Sequence, residues 1–173
     1  MYSMSNAFNC FVCFMAIAVA TKTESTCSQI KLIGREQWGA KLPKDVVSMK
    51  TPVRYVFIHH TAMGECFNLT TCIEQVKEVQ DLHMISRKWS DIGYNFLVGE
   101  DGRVYEARGW NRTGAHTKYY NQVAVAVSVM GNFMKRIPNQ IALDATSIRS
   151  EHFYHTLKKI KQIKFVINKP LLF

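Results

Sequence analysis

Val53-Arg54-Tyr55-Val56-Phe57-Ile58-His59-His60-Thr61 is the stretch that decides the fold. Residues 53–58 are β-branched or aromatic apart from one arginine, which predicts a largely buried β-strand. Two histidines follow at once. A strand end is where side chains leave a rigid sheet for a cleft, so His59 and His60 are candidate metal or ligand residues. Two surface histidines in a turn are the competing reading. Downstream, Thr71-Cys72-Ile73-Glu74 reads as a capping box. It opens a helix whose apolar positions Ile73, Val76, Val79, Leu82 and Met84 share roughly one face through about Ser86. Residues 95–98 predict a second strand, Gly99-Glu100-Asp101-Gly102 a turn, and residues 103–106 its hairpin partner. Residues 123–130 alternate Val with Ala or Ser and suit a central strand covered on both faces. Asn139 is a candidate cap for a last helix over residues 141–149. Strands and helices interleave, so the predicted class is α/β, a central mixed β-sheet flanked by helices.

Composition sets the outer bounds. The chain has 173 residues, 47% hydrophobic and 20% charged, with 10 Phe, 7 Tyr and 3 Trp, which excludes a disordered chain. The formal charge of +9 points to an anionic partner: nucleic acid, an acidic membrane or an acidic polymer. Residues 7–20 are apolar almost throughout, yet too short for a membrane span, which needs about 20 residues. Ala18-Val19-Ala20 before Thr21 is a small-x-small cleavage site, so residues 1–20 are expected to be a secretory signal peptide, although no Lys or Arg precedes the apolar run. An N-terminal core helix is the alternative. Secretion would leave Cys27, Cys66 and Cys72. The last two bracket a loop short enough for a local disulfide, with a zinc pair the lesser alternative for want of further ligands at finger-like spacing. Asn68-Leu69-Thr70 and Asn111-Arg112-Thr113 are glycosylation sequons, the second expected to go unused.

Further segments carry the functional reading: Ile33-Gly34-Arg35-Glu36-Gln37-Trp38-Gly39-Ala40, His83, Trp89-Ser90-Asp91-Ile92-Gly93-Tyr94-Asn95-Phe96, Tyr105-Glu106-Ala107-Arg108-Gly109-Trp110, Gly114-Ala115-His116-Thr117 and Gly131-Asn132-Phe133. In this order they resemble the peptidoglycan recognition protein family, the secreted short type of innate immunity, from Ile33 to about Arg149. The resemblance implies the type 2 amidase fold, a muropeptide groove, bacterial peptidoglycan as partner rather than nucleic acid, and downstream immune-signalling proteins. It implies a Cys66–Cys72 disulfide and no transmembrane segment. Amidase members hold Zn²⁺ with two His and one Cys around an activated water, and a Tyr steadies the developing oxyanion. The first ligand matches His59 and the tyrosine matches Tyr94. The late His-x7-Cys that supplies the other two is absent, since no Cys follows Cys72, and His152 and His155 fall outside any matching motif.

The expectation is therefore recognition without hydrolysis and without a cofactor, with a zinc-dependent N-acetylmuramoyl-L-alanine amidase and a truncated, non-functional isoform as alternatives. The resemblance carries muropeptide contacts onto His60, Thr61 and His83, onto Arg87, Trp89 and Tyr94, and onto Arg108, His116 and Asn121. Arg108 is the expected bidentate clamp for the extra carboxylate of diaminopimelic acid, although Lys88-Trp89 stands where the family's diaminopimelate type has Gly-Trp. Trp38, Trp110 and Phe133 are expected to be core or fold-stabilising residues rather than ligand contacts, and Arg35 and Asp91 structural partners. The expected organisation is a signal peptide at 1–20, the recognition domain at 30–150 with its C-terminal part missing, and a divergent basic tail at 151–173. That tail holds five Lys and one Glu, so much of the net charge need not concern the domain. Its composition is that of translated A+T-rich noncoding sequence, with a cationic surface-binding tail as the rival reading.

Overall fold

A computed structural model describes residues 31–146. The expected signal peptide, Cys27, residues 147–173 and with them His152 and His155 lie outside the described residues. Five strands form one mixed sheet in the order β1-β4-β3-β5-β2: β1 (Lys31–Ile33), β2 (Tyr55–His60), β3 (Phe96–Val98), β4 (Arg103–Glu106) and β5 (Ala124–Val129). Strand β5 runs parallel to both neighbours, β1 runs parallel to β4, and only the β3–β4 hairpin is antiparallel. Three α-helices accompany it: α1 (Arg35–Trp38), α2 (Leu69–Asp81) and α3 (Gln140–Thr146). Among the described residues no helix is long and apolar enough to cross a membrane.

Strand β5 is the centre of the packing, and all six of its residues are buried. Its alternation sorts the core. Ala124 and Ala126 face a cluster with Trp38, Phe57, Val76, Val79 and Tyr94, whereas Val125, Val127 and Val129 face another with Val56, Phe96, Val104 and Ala142. Helix α2 covers the first face and α3 the second. Trp38 is fully buried and its indole N–H donates to the Glu106 carbonyl at 2.8 Å, the partner a buried indole needs. Trp110 and Phe133 are half-buried against the second cluster, Trp110 packing on Phe96 at 4.7 Å between ring centroids. Cys66 and Cys72 are disulfide-bonded and buried in the first cluster.

Three elements differ from expectation, each for a local reason. Strand β2 is displaced toward the histidines, because His59 and His60 pair with Ser128 and Val129 while β5 continues alongside. Helix α2 begins earlier than the Thr71 box predicts. Asn68 is the N-cap, its Oδ1 accepting from the Thr71 N–H at 3.0 Å, and the Thr71 hydroxyl bonds back to the Asn68 carbonyl instead. Its end is also altered, for residues 82–86 close as one wider π-helical turn, Leu82–Ser86. Strand β1, short and without an alternating pattern, exists only through its register on β4. Asn139 does cap α3, accepting from the Ala142 N–H at 3.0 Å. Loss of the α2 cap in Asn68→Ala is expected to cost about 1 kcal/mol by urea unfolding, with Thr71→Ala costing clearly less.

Candidate functional site

The C-terminal end of β2, the π-turn after α2 and the start of β3 enclose a cleft. His60, Thr61 and Tyr94 line it on the sheet side, and Val79, Leu82, His83 and Arg87 on the helix side, with Met63 at the margin. The wider π-turn contributes His83, which is buried. Its Nδ1 accepts from the Gly93 N–H at 3.1 Å, so a neutral ring carries its proton on Nε2. Trp89 stacks on His83 with centroids 4.7 Å apart, and the exposed Arg87 guanidinium lies 5.2 Å from the Trp89 ring centre. Gly93 is confined between these groups. A Cβ there would stand 2.6 Å from the Ala115 carbonyl oxygen and 2.8 Å from the Trp89 ring, so no larger residue fits.

A second tier sits deeper. His59 Nε2 and His116 Nδ1 both meet the Thr117 hydroxyl, at 3.2 and 3.0 Å, and the His59 ring lies 5.5 Å from that of Tyr94. Burial, with His60 second, lowers the His59 pKa to about 4, and burial pushes the Tyr94 phenol up. Asn121 Oδ1 accepts from the N–H groups of His116 and Thr117 at 2.9 and 2.8 Å, so its carbonyl end pins this loop. Thr117, like the cleft-lining Met63, Val79 and Leu82, was not among the expected site residues. Its role shows only once the end of β2 brings His59 onto its hydroxyl, 58 positions away in the chain.

Arg108 is engaged within the fold. Expected as a clamp reaching for a ligand carboxylate, it is buried, and its Nε and Nη1 donate to the carbonyls of Ile92 at 2.6 Å and Thr113 at 2.7 Å, with Ser90 Oγ 3.4 Å from Nη2. Its geometry ties the loops behind the cleft together. Arg35 and Asp91 form the expected structural pair at 2.9 Å. Non-glycine residues with positive φ flank the site, Ala62 (φ 55) after Thr61 and Lys88 (φ 59) before Trp89. Such strain persists where surrounding contacts over-determine the backbone.

A catalytic zinc does not fit the described residues. Among them no group of three or more His, Cys, Asp or Glu could hold a metal ion, and His59, the one matched ligand, has its Nε2 on Thr117. Removing most of a ligand set removes most of its binding free energy.

Sheet order, disulfide and cleft together define a domain of the N-acetylmuramoyl-L-alanine amidase type, and the pattern of that family matches residues 49–158. Within it, this chain belongs to the peptidoglycan recognition proteins. It is 46% identical over 115 residues to peptidoglycan recognition protein 1 of Bos taurus, covering 66% of this chain and 60% of that protein. Against peptidoglycan recognition protein 1 of Mus musculus it is 42% identical over 137 residues, covering 78% and 72%. The chain thus spans about 60% of the length of the first of these relatives. Wild-type Drosophila PGRP-LB superposes with a TM-score of 0.72 at 35% identity, covering 79% of this chain and 81% of that one. A complex of peptidoglycan recognition protein-LE with tracheal cytotoxin, a monomeric diaminopimelic acid-type peptidoglycan, superposes with a TM-score of 0.71 at 35% identity over the same shares.

Proposed function

We propose that this chain is a secreted innate-immune recognition protein that binds bacterial peptidoglycan fragments in the cleft beside His60, His83 and Tyr94, and that it does so without hydrolysing them. The observation that carries the reading is the cleft with its margin: an Nε2–H donor on His83 and the exposed Arg87 in the lining, and next to the lining the flat Trp89 indole stacked on His83. Flat rings with a polar edge suit sugar and peptide surfaces, and fixed N–H groups suit carbonyl and carboxylate oxygens. The tracheal cytotoxin complex of a relative supports the same class of ligand. For a diaminopimelate stem, Arg87 is the guanidinium at the cleft wall. Arg108 already gives its Nε and one Nη1 hydrogen to backbone carbonyls, so a carboxylate would have to be met by its remaining Nη donors. The small-x-small site at residues 18–20 supports an extracellular place of action, where immune-signalling proteins would act downstream.

Binding without hydrolysis is supported by the chemistry of the donors. The described residues supply no three-ligand set around His59, whose Nε2 meets the Thr117 hydroxyl. Calorimetry of the 173-residue chain with soluble muramyl tripeptides is expected to give saturable heat, and incubation with polymeric peptidoglycan no free stem peptide. Chelator-sensitive release of stem peptide would overturn the second half of the proposal, and absence of heat the first. Trp89→Ala is expected to weaken muramyl-peptide affinity about tenfold or more with the unfolding midpoint little changed, since the indole is half-buried and outside both core clusters.

A further inference from the structure

Glu100 stands in the β3–β4 turn, outside the cleft lining, yet it is one of the most buried charged residues, 2% exposed. Its Oε1 accepts from Arg136 Nη1 at 3.1 Å and from the Asn139 N–H at 2.7 Å, and its Oε2 from Arg136 Nη2 at 2.5 Å. Its main-chain carbonyl accepts from Asn139 Nδ2 at 2.8 Å. Arg136 also pairs with Glu65 at 2.6 Å and lies over the Phe133 ring at 4.7 Å. The segment that these bonds hold, residues 131–139, is tied to the cleft at its other end. The Phe133 N–H donates to His60 Nδ1 and the Gly131 N–H to Thr61 Oγ1, both at 3.0 Å. Gly131 is the narrow point of this strap. Its φ is 142°, and a Cβ would stand 2.6 Å from the Phe133 ring and 2.9 Å from Glu65.

A ring nitrogen that accepts from a backbone N–H carries no proton, so neutral His60 has its proton on Nε2. That Nε2 is buried and has no hydrogen-bond partner among the described residues, on a ring that lines the cleft. We propose that Glu100 is a positioning residue: through residues 131–139 it holds the Phe133 N–H on His60 Nδ1, and so keeps His60 as an Nε2–H donor for an acceptor oxygen of the muropeptide. The ligand in this statement rests on the proposed function, whereas the state of the ring does not. A carboxylate outside the lining would thereby fix which way one cleft histidine can hydrogen-bond.

Nitrogen-15 NMR of the full chain labelled in its histidine rings, with His60 assigned through His60→Gln, tests this at pH 8. Wild type is expected to show an unprotonated Nδ1 and a protonated Nε2 at His60. Glu100→Ala removes the clamp, and Arg136→Ala, at a side chain 41% exposed, loosens it without emptying a buried site. Both are expected to give a mixture of His60 tautomers and a threefold to tenfold loss of muramyl-tripeptide affinity, about the effect of one hydrogen bond. Glu100→Gln keeps an acceptor for the Asn139 N–H and is expected to stay nearer wild type. A proton on Nδ1 in wild type overturns the proposal without any variant, and so does an unchanged His60 pattern in folded Glu100→Ala and Arg136→Ala. If the ring behaves as stated but wild type binds no muramyl peptide, the proposed function fails and the positioning role stands.

Discussion

Acidification from pH 6.5 toward 4 is expected to unfold the domain well before its carboxylates are exhausted. His83 and His116 are both buried, and their pKa values fall from 6.5 to about 3, desolvation being the leading cause in each. Arg87 and then Arg108 add to the effect at His83. At His116 the neighbouring His59 and Arg108 add to it while the Ala124 backbone opposes it. The unfolded chain takes up protons at these rings near pH 6.5, and the folded chain declines them until about 3. Between those values the unfolded state holds more protons, so stability is complete above 6.5 and is lost as the pH falls. Each ring accounts for up to about 1.4 kcal/mol per pH unit, so the pair removes as much as about 4 kcal/mol between pH 6.5 and 5. A domain whose whole stability is about 5–15 kcal/mol feels that strongly. Glu100, held below the usual carboxylate range by Arg136 first, works in the same direction below pH 4.5. Urea midpoints at pH 7.5, 6 and 5 measure the loss. His83→Asn keeps an acceptor for the Gly93 N–H without the titration and should remove roughly a third of the slope, because His59, lowered to about 4, contributes alongside the pair. Equal midpoints at pH 7.5 and 5 would mean that these rings are not held neutral by the fold.

Asp91→Ala is expected to be the most damaging single substitution at the site. Asp91 Oδ1 accepts from Gln80 Nε2 at 2.9 Å and from the Ile92 N–H at 2.8 Å, and its Oδ2 faces Arg35 at 2.9 Å and Arg112 at 3.7 Å. Arg108 stands close enough for the same carboxylate to support its charge. Removal leaves three guanidinium groups around a place with no counter-charge and one buried backbone N–H without its acceptor. Breaking a buried pair from one side costs about 3–5 kcal/mol. The damage reaches the cleft, because the carbonyl of Ile92 is what Arg108 Nε holds and Gly93 is what orients His83. Thermal unfolding of Asp91→Ala and Asp91→Asn separates charge from shape. If the charge matters, Asn recovers only part of the loss. An Asn variant as stable as wild type would make the site one of shape and hydrogen bonding alone.

The class of fold and most of the cleft were legible in the chain because their signals are local or come as multi-residue motifs. The β-branched run before His59, the hairpin turn at 99–102 and the cap at Asn139 each specify an element from a few neighbouring residues. Tyr94, Thr61 and His83 were expected as contacts through the family resemblance, and the structure places all three on one cleft. At the start of α2 the sequence pointed to Thr71 alone, whereas Asn68 is the cap. Asn68 and Thr71 both offer an oxygen, and the Cys66–Cys72 bond beside them lies at the end of α2 where Asn68 is the cap.

Sequence by itself determined which residues could form a mixed α/β sheet and where polar and flat side chains would leave it, since periodicity and residue type act over a few positions. Tertiary structure alone decided what those side chains are free to do. Whether the donors of Arg108 go to a ligand or to the carbonyls of Ile92 and Thr113, and whether His60 presents Nδ1 or Nε2, depends on partners that the sequence separates by 16 and 73 positions. A hydrogen bond is directional and each donor has few places to go, so such assignments exist only once the chain has closed around them.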